Sequence, residues 1–378
     1  MDRTLTRRQL VSVLGGGATT LALAQENREA KIQDWMKAES WTVEQGPESA
    51  FVFTENEIRV HPGSGFPTWL RSRERFENFD WSGEVFIAGW ANGGLYLCAP
   101  EAGPPTDCGY KLNIFQKKDE TPLKESCGSI FPVVAPKKVN VKPNKEWNAF
   151  RIRFVWPSLQ VWWNGEMVQD LDVTRVPELE DRLRQGYLGI ESLSYPLRFR
   201  NFEVKRLAGA QKWETLYAKP ADMALWKPTE KATWEALGPV LRADGLGYLV
   251  SNATYRDFRL QCYVRASKHS NGGILFRGGE DNKSFRYEIQ LHDVEGAVYP
   301  TGSLYHYVRC NPYPRVPAEE WFLFQLYVKD AKCRVRINGE TVVNYDRLEH
   351  LEAGHILLQA HQAGKWIEYR DLRVERLT

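Results

Sequence analysis

The sequence is short of net charge, of long apolar runs, of paired cysteines and of helical periodicity, and each shortage removes a class of protein. Fifty basic and 48 acidic side chains leave +2 over 378 residues. So even a balance supplies no basic face for nucleic acid or for an anionic membrane, and neither is expected as a partner. The longest apolar stretch, residues 11–23, is diluted by Gly15-Gly16-Gly17 and is too short to span a bilayer. Six cysteines divide three and three, as Cys98, Cys108 and Cys127, then Cys262, Cys310 and Cys333. An odd number per half is no disulfide framework, although Cys98 and Cys108 flank the Gly103-Pro104-Pro105 loop and could close it in an oxidising compartment. No CxxC, HxxxH or HExxH spacing occurs, so a divalent metal is unsupported and no cofactor is expected. Helical patterns are confined to a short lead-in over 26–38 and short pieces such as 177–185 and 220–225.

The amino-terminal residues read as an address. Thr6-Arg7-Arg8-Gln9-Leu10 is a twin-arginine motif, and Ala22-Leu23-Ala24 offers small residues for cleavage before Gln25. Residues 1–24 are therefore expected to be a twin-arginine signal peptide. The mature protein is expected to be periplasmic or secreted by a bacterium.

What the chain does have is a repeat. Asn92-Gly93-Gly94-Leu95-Tyr96 recurs as Asn271-Gly272-Gly273-Ile274-Leu275, and Tyr110, Trp147, Asn164-Gly165 and Arg200 find partners at Tyr287, Trp321, Asn338-Gly339 and Arg370. The offset shrinks from 179 residues at the first pair to 170 at the last, as loop lengths drift after duplication. The expected plan is a first repeat over 25–207, a linker at 208–212 and a second repeat over 213–378. Phe258, Leu260, Cys262 and Val264 alternate with polar neighbours, the period of a half-buried strand. Asn164-Gly165 and Asn338-Gly339 each lie between apolar runs, a strong hairpin signal. Many short strands with frequent turns predict an all-β sandwich in each half.

The two copies differ where chemistry would lie. Tyr287, Ile289 and Leu291 share one face of a strand, so Glu288, Gln290 and His292 project together from the other. Gln359 and His361 form a second polar pair by the same spacing, and Arg277 ends a neighbouring run. A carboxylate, imidazoles, a guanidinium and two amides on one face could supply an acid/base pair, an oxyanion stabiliser and hydroxyl ligands. The first copy has Cys98, Lys111, Asn113, Glu191 and Leu193 at those positions, a set with no acid/base pair. Its Trp156, Trp162 and Trp163 could form a sugar platform, although adjacent Trp162 and Trp163 face opposite ways and at least one is expected in the core; the tyrosines at 299, 305, 307 and 313 could form a carbohydrate rim or a rigid packed loop.

The second repeat resembles the 3-keto-disaccharide hydrolase domain family, a concanavalin A-like jelly roll. The resemblance rests on residues 271–277, Tyr287-Glu288-Ile289-Gln290 with Asp293, Thr301-Gly302-Ser303-Leu304-Tyr305, Glu320-Trp321, Asn338-Gly339, Leu358-Gln359 with His361, and Tyr369-Arg370-Asp371-Leu372. Ala360 and His292 depart from the family pattern. The resemblance implies two tandem concanavalin A-like β-sandwich domains, the second catalytic, acting on 3-keto glycosides by C2 proton abstraction, elimination and hydration. It implies Glu288 and His361 as base and acid in either order and Arg277 as enolate stabiliser. Gln290, Gln359, Asp293, Tyr287, Tyr305 and His292 are the expected substrate contacts. A conventional glycosidase would want two carboxylates, and the ExDxxE pattern is missing. A lectin-like periplasmic module that binds glycan without turnover is the alternative.

Overall fold

A computed structural model describes residues 34–61, 67–116, 121–193, 195–209, 212–229, 231–279, 287–292, 294–310 and 316–377. The twin-arginine segment, Asp293 and Tyr313 lie outside them. Four antiparallel sheets pair into two sandwiches. In the first, a six-stranded sheet centred on Gly186–Ser192 faces a seven-stranded sheet centred on Phe79–Ile87, around a core that includes Trp81, Phe154, Leu95 and Ile190. In the second, an eight-stranded sheet built on Phe258–Ala266 and Ile367–Arg376 faces a five-stranded sheet. That smaller sheet runs, in spatial order, Trp226–Pro228, Gly247–Tyr255, Gly354–Ala360, Asn271–Gly278 and Tyr287–His292. The fold is all-β in two tandem sandwiches, as the alternation and turn signals predict.

The residues that repeat in sequence do the same work in both halves. Asn164-Gly165 and Asn338-Gly339 close two-residue hairpins with φ positive at both positions, the backbone that Asn-Gly favours. Each asparagine side chain also staples the adjoining strand, accepting from Ala149 N at 2.9 Å and from Leu323 N at 3.0 Å. The guanidinium of Arg200 lies 4.0 Å from the Trp147 ring centroid, and that of Arg370 lies 4.1 Å from Trp321. The recurrent tryptophan and arginine are thus one stacked pair per domain.

The sandwiches are locked together. Arg184 pairs with Glu375 at 2.9 Å and Arg75 with Asp371 at 2.7 Å, while Arg370 reaches Glu101 at 3.1 Å. Glu101 N donates to the Tyr263 hydroxyl, and Tyr263 and Leu323 of the second half pack into the first core. Two expectations for the first half fail. Cys98 and Cys108 form no disulfide with each other, all six cysteines are buried, and burial pushes the Cys108 thiol up to about 12. The three tryptophans form no platform: Trp163 is core, Trp162 lies under Arg151, and the Arg184 guanidinium covers Trp156 at 3.5 Å.

Candidate active site

The strand Tyr287–His292 carries the site because its alternation is strict. Tyr287, Ile289 and Leu291 enter the core, which turns Glu288, Gln290 and His292 onto the outer face of the five-stranded sheet. Backbone bonds from Gln290 N to Ser303 O, Gly302 N to Gln290 O and Tyr305 N to Glu288 O lay the segment Thr301–Tyr305 along its free edge. That segment brings Tyr305 to the rim, where it meets Tyr299 edge to face at 5.3 Å. The result is a cleft of about 620 Å³ with Glu288 on its floor.

Glu288 is 6% exposed. Leu275 stands opposite it in the strand register, followed across the sheet by Leu357 and Val250, and all three are buried. No ion pair or hydrogen bond reaches the carboxyl from the described residues, and burial alone pushes its pKa up to about 7. Gly273 makes room for it: a methyl group there would meet Glu288 Oε1 and lie 2.8 Å from Cγ.

Two polar pairs flank the carboxyl. Gln359 Nε2 donates to the Tyr248 hydroxyl at 3.1 Å, and Gln290 Nε2 donates to Asn271 Oδ1 at 2.7 Å. Each amide is oriented by its partner, which leaves its remaining polar positions for a ligand. His292 and His361 border the open end. Partial burial and the neighbouring His361 push the His292 imidazole down.

The cleft therefore brings together Glu288, Gln290, His292, Tyr305, Gln359 and His361. It does not include Arg277 or Tyr287. A bulge between Leu275 and Gly278 gives Arg277 φ 54° and turns its side chain off the cleft face. There the guanidinium donates to the carbonyls of Arg256, His350 and Asp330 and to Asp257. Tyr287 stacks on Phe276 in the core at 5.2 Å, and its hydroxyl accepts from Glu349 N and His350 N. Asp293 lies outside the described residues, among which no group of three or more His, Cys, Asp or Glu side chains gathers as a metal site. Sequence reasoning missed Tyr248 and gave Asn271 no role. Both enter through strand pairing, Tyr248 opposite Gln359 and Asn271 opposite His292.

The first domain shows the same place closed. Lys111, at the position of Glu288, forms a buried ion pair with Glu191, at the position of Gln359, and the Tyr96 hydroxyl donates to the same carboxylate. The Phe131 ring lies 5.2 Å from the ammonium. Trp69 pairs with Glu191 as Tyr248 pairs with Gln359, so the phenol is lost with the acid.

Comparison with known proteins places these observations. No curated protein matches the chain. A candidate glycosyl hydrolase from Parabacteroides distasonis has a similar structure at 17% identity, covering 45% of this chain and 94% of its own, with TM-score 0.39. A carbohydrate-binding module from Bacillus subtilis is similar at 15% identity, covering 44% of this chain and 95% of its own, with TM-score 0.34. The family model of the 3-keto-alpha-glucoside-1,2-lyase-like domain matches twice, over residues 28–205 and 212–375. With nearly all of the sequence so matched, the chain belongs to the 3-keto-alpha-glucoside-1,2-lyase-like domain family and carries that domain in tandem.

Proposed function

We propose that the second domain cleaves 3-keto glycosides by elimination across C1 and C2, with Glu288 as base. The observation that carries this reading is a buried carboxyl with no counter-ion among the described residues, raised to about 7, on the floor of a cleft with two oriented amides. A carboxylate stripped of solvent and counter-ion is a stronger base than one in water, and a pKa near neutrality suits proton transfer at working pH. The C3 ketone of the substrate acidifies the hydrogen on C2.

Glu288 takes that proton, and the C–H electrons pass into the enolate of C2 and C3. The Tyr248 hydroxyl accepts from Gln359, so its own proton is free to point at the enolate oxygen, the role that Arg277 does not fill. The enolate then collapses: the ketone re-forms, a C1=C2 double bond appears, and the C1–O bond breaks. The departing oxygen takes a proton from His361 at the open rim. Water then adds across C1=C2, its hydroxyl joining C1 as its proton returns to His361 and the Glu288 proton going to C2, which completes a net hydrolysis with no change in oxidation state. Gln290 and Gln359 hold ring hydroxyls.

The test is aglycone release from a 3-keto disaccharide and from its unoxidised parent. Wild type should cleave only the ketone, with an acid limb that rises through about pH 7 as Glu288 loses its proton. Glu288→Gln should lose turnover by roughly a hundredfold or more while remaining folded. Cleavage of both sugars at equal rates would sink the elimination, and binding of the ketone without release would favour the glycan-binding alternative.

A further inference from the structure

Neither the cleft nor its closed counterpart accounts for an aromatic tip on the first domain. Trp90, in the turn between strands Phe79–Ile87 and Asn92–Ala99, is 69% exposed. Tyr195, in the turn between Gly186–Ser192 and Leu197–Arg206, is 44% exposed. The two turns touch: a methyl group on Gly89 would lie 3.3 Å from the Tyr195 ring. Both are pinned. Gly89 N donates to Asn144 Oδ1 at 2.9 Å, Ser192 Oγ donates to Tyr195 O at 2.7 Å, and Leu193 N donates to Asn92 O at 2.8 Å. Backbone groups next to both rings are therefore tied down, which lowers the ordering cost of binding.

The chemistry of the tip is selective. The two turns themselves carry no charge, and the loop that holds Gly89 sets Lys142 and Lys145 against Glu146 beside them, so the surface has little net charge to favour an ionic ligand. The site also lies at a telling place in the fold. Trp90 precedes Asn92 as His269 precedes Asn271, and Leu193 stands where His361 borders the cleft of the second domain. The first domain thus exposes aromatics at the end of the sandwich where its twin opens. A pyranose with all its hydroxyls equatorial shows only C–H groups on its two faces, and those faces fit the electron-rich faces of indole and phenol rings.

We propose that Trp90 and Tyr195 form a binding platform for neutral, gluco-configured oligosaccharides, which makes the first domain a glycan-binding module. This inference shares with the function above only the premise that the protein handles sugars; it does not depend on the elimination. Calorimetric titration with cellohexaose tests it, using the full chain as wild type, Trp90→Ala, Tyr195→Ala and Glu288→Gln. Wild type and Glu288→Gln should bind alike. Trp90→Ala should bind on the order of tenfold more weakly, with its melting temperature and its turnover of a 3-keto disaccharide unchanged. No binding by wild type, or binding that Trp90→Ala leaves intact, would overturn the platform. So would a wild-type dimer in sedimentation that Trp90→Ala splits, because the tip would then be a contact between copies. Failure of the catalytic reading would show separately, as no aglycone release with cellohexaose binding preserved.

Discussion

Glu288 and the two glycines beside it show how finely the cleft depends on single atoms. Gly272 and Gly273 are neighbours on one strand, yet a side chain at each would meet different things. At Gly272 a methyl group would lie 2.5 Å from the carbonyl oxygen of Gln359, a backbone atom that cannot move without shifting the sheet. At Gly273 it would meet Oε1, Cδ and Cγ of Glu288, side-chain atoms that can turn to another rotamer without moving the backbone. We expect Gly272→Ala to lower stability by about 1–3 kcal/mol, as over-packing does. Gly273→Ala should melt near wild type and lose roughly tenfold or more in kcat, because the base is displaced. Denaturant unfolding and turnover measured on both variants check the contrast. A Gly273→Ala enzyme of normal activity would remove Glu288 from the reaction.

At the scale of the strand, the sequence was clear wherever period two held. Tyr287–His292 alternates without interruption, so the shared face of Glu288, Gln290 and His292 could be read directly. Arg277 could not be placed that way. It lies at a bulge, where one extra residue reverses which side faces out, and nothing in residues 271–277 marks that reversal. Tyr248 and Asn271 were hidden for another reason: which strands become neighbours is set by the whole sheet and not by local pattern. The interdomain contacts were equally hidden, since Arg75, Arg184, Asp371 and Glu375 look like ordinary surface charges until two sandwiches meet. The bulge carries its own prediction. Arg277→Met removes the donors of three carbonyls and a buried guanidinium that pairs with Asp257, and should cost roughly 3 kcal/mol of stability. Its kcat, measured well below the new melting temperature, should stay near wild type. A catalytic loss of two orders of magnitude without loss of stability would return Arg277 to the chemistry.

The whole molecule consists of two cores joined by a contact that mixes buried ion pairs and hydrogen bonds with apolar side chains. The second core is large, and residues 213–378 made alone should unfold cooperatively. They should also unfold at a lower temperature than the full chain. Separation bares Tyr263 and Leu323 and leaves Glu375 and Asp371 without Arg184 and Arg75. Thermal melts of the fragment and of the full chain decide the matter. A fragment as stable as the parent would mean that these contacts contribute nothing, and a fragment without a cooperative transition would mean that the halves share one folding unit.

The closed site of the first domain bears on descent. Its state, Lys111 with Glu191, and the open state, Glu288 with Gln359, differ, among other places, at two positions on the strands that flank one shared neighbour. Changing Lys111 alone to glutamate would set two carboxylates against each other beneath Phe131, and changing Glu191 alone to glutamine would strand a buried ammonium. Each single step passes through a form less stable than either end. A twin that had made both changes would not return by a single mutation without passing through one of those forms.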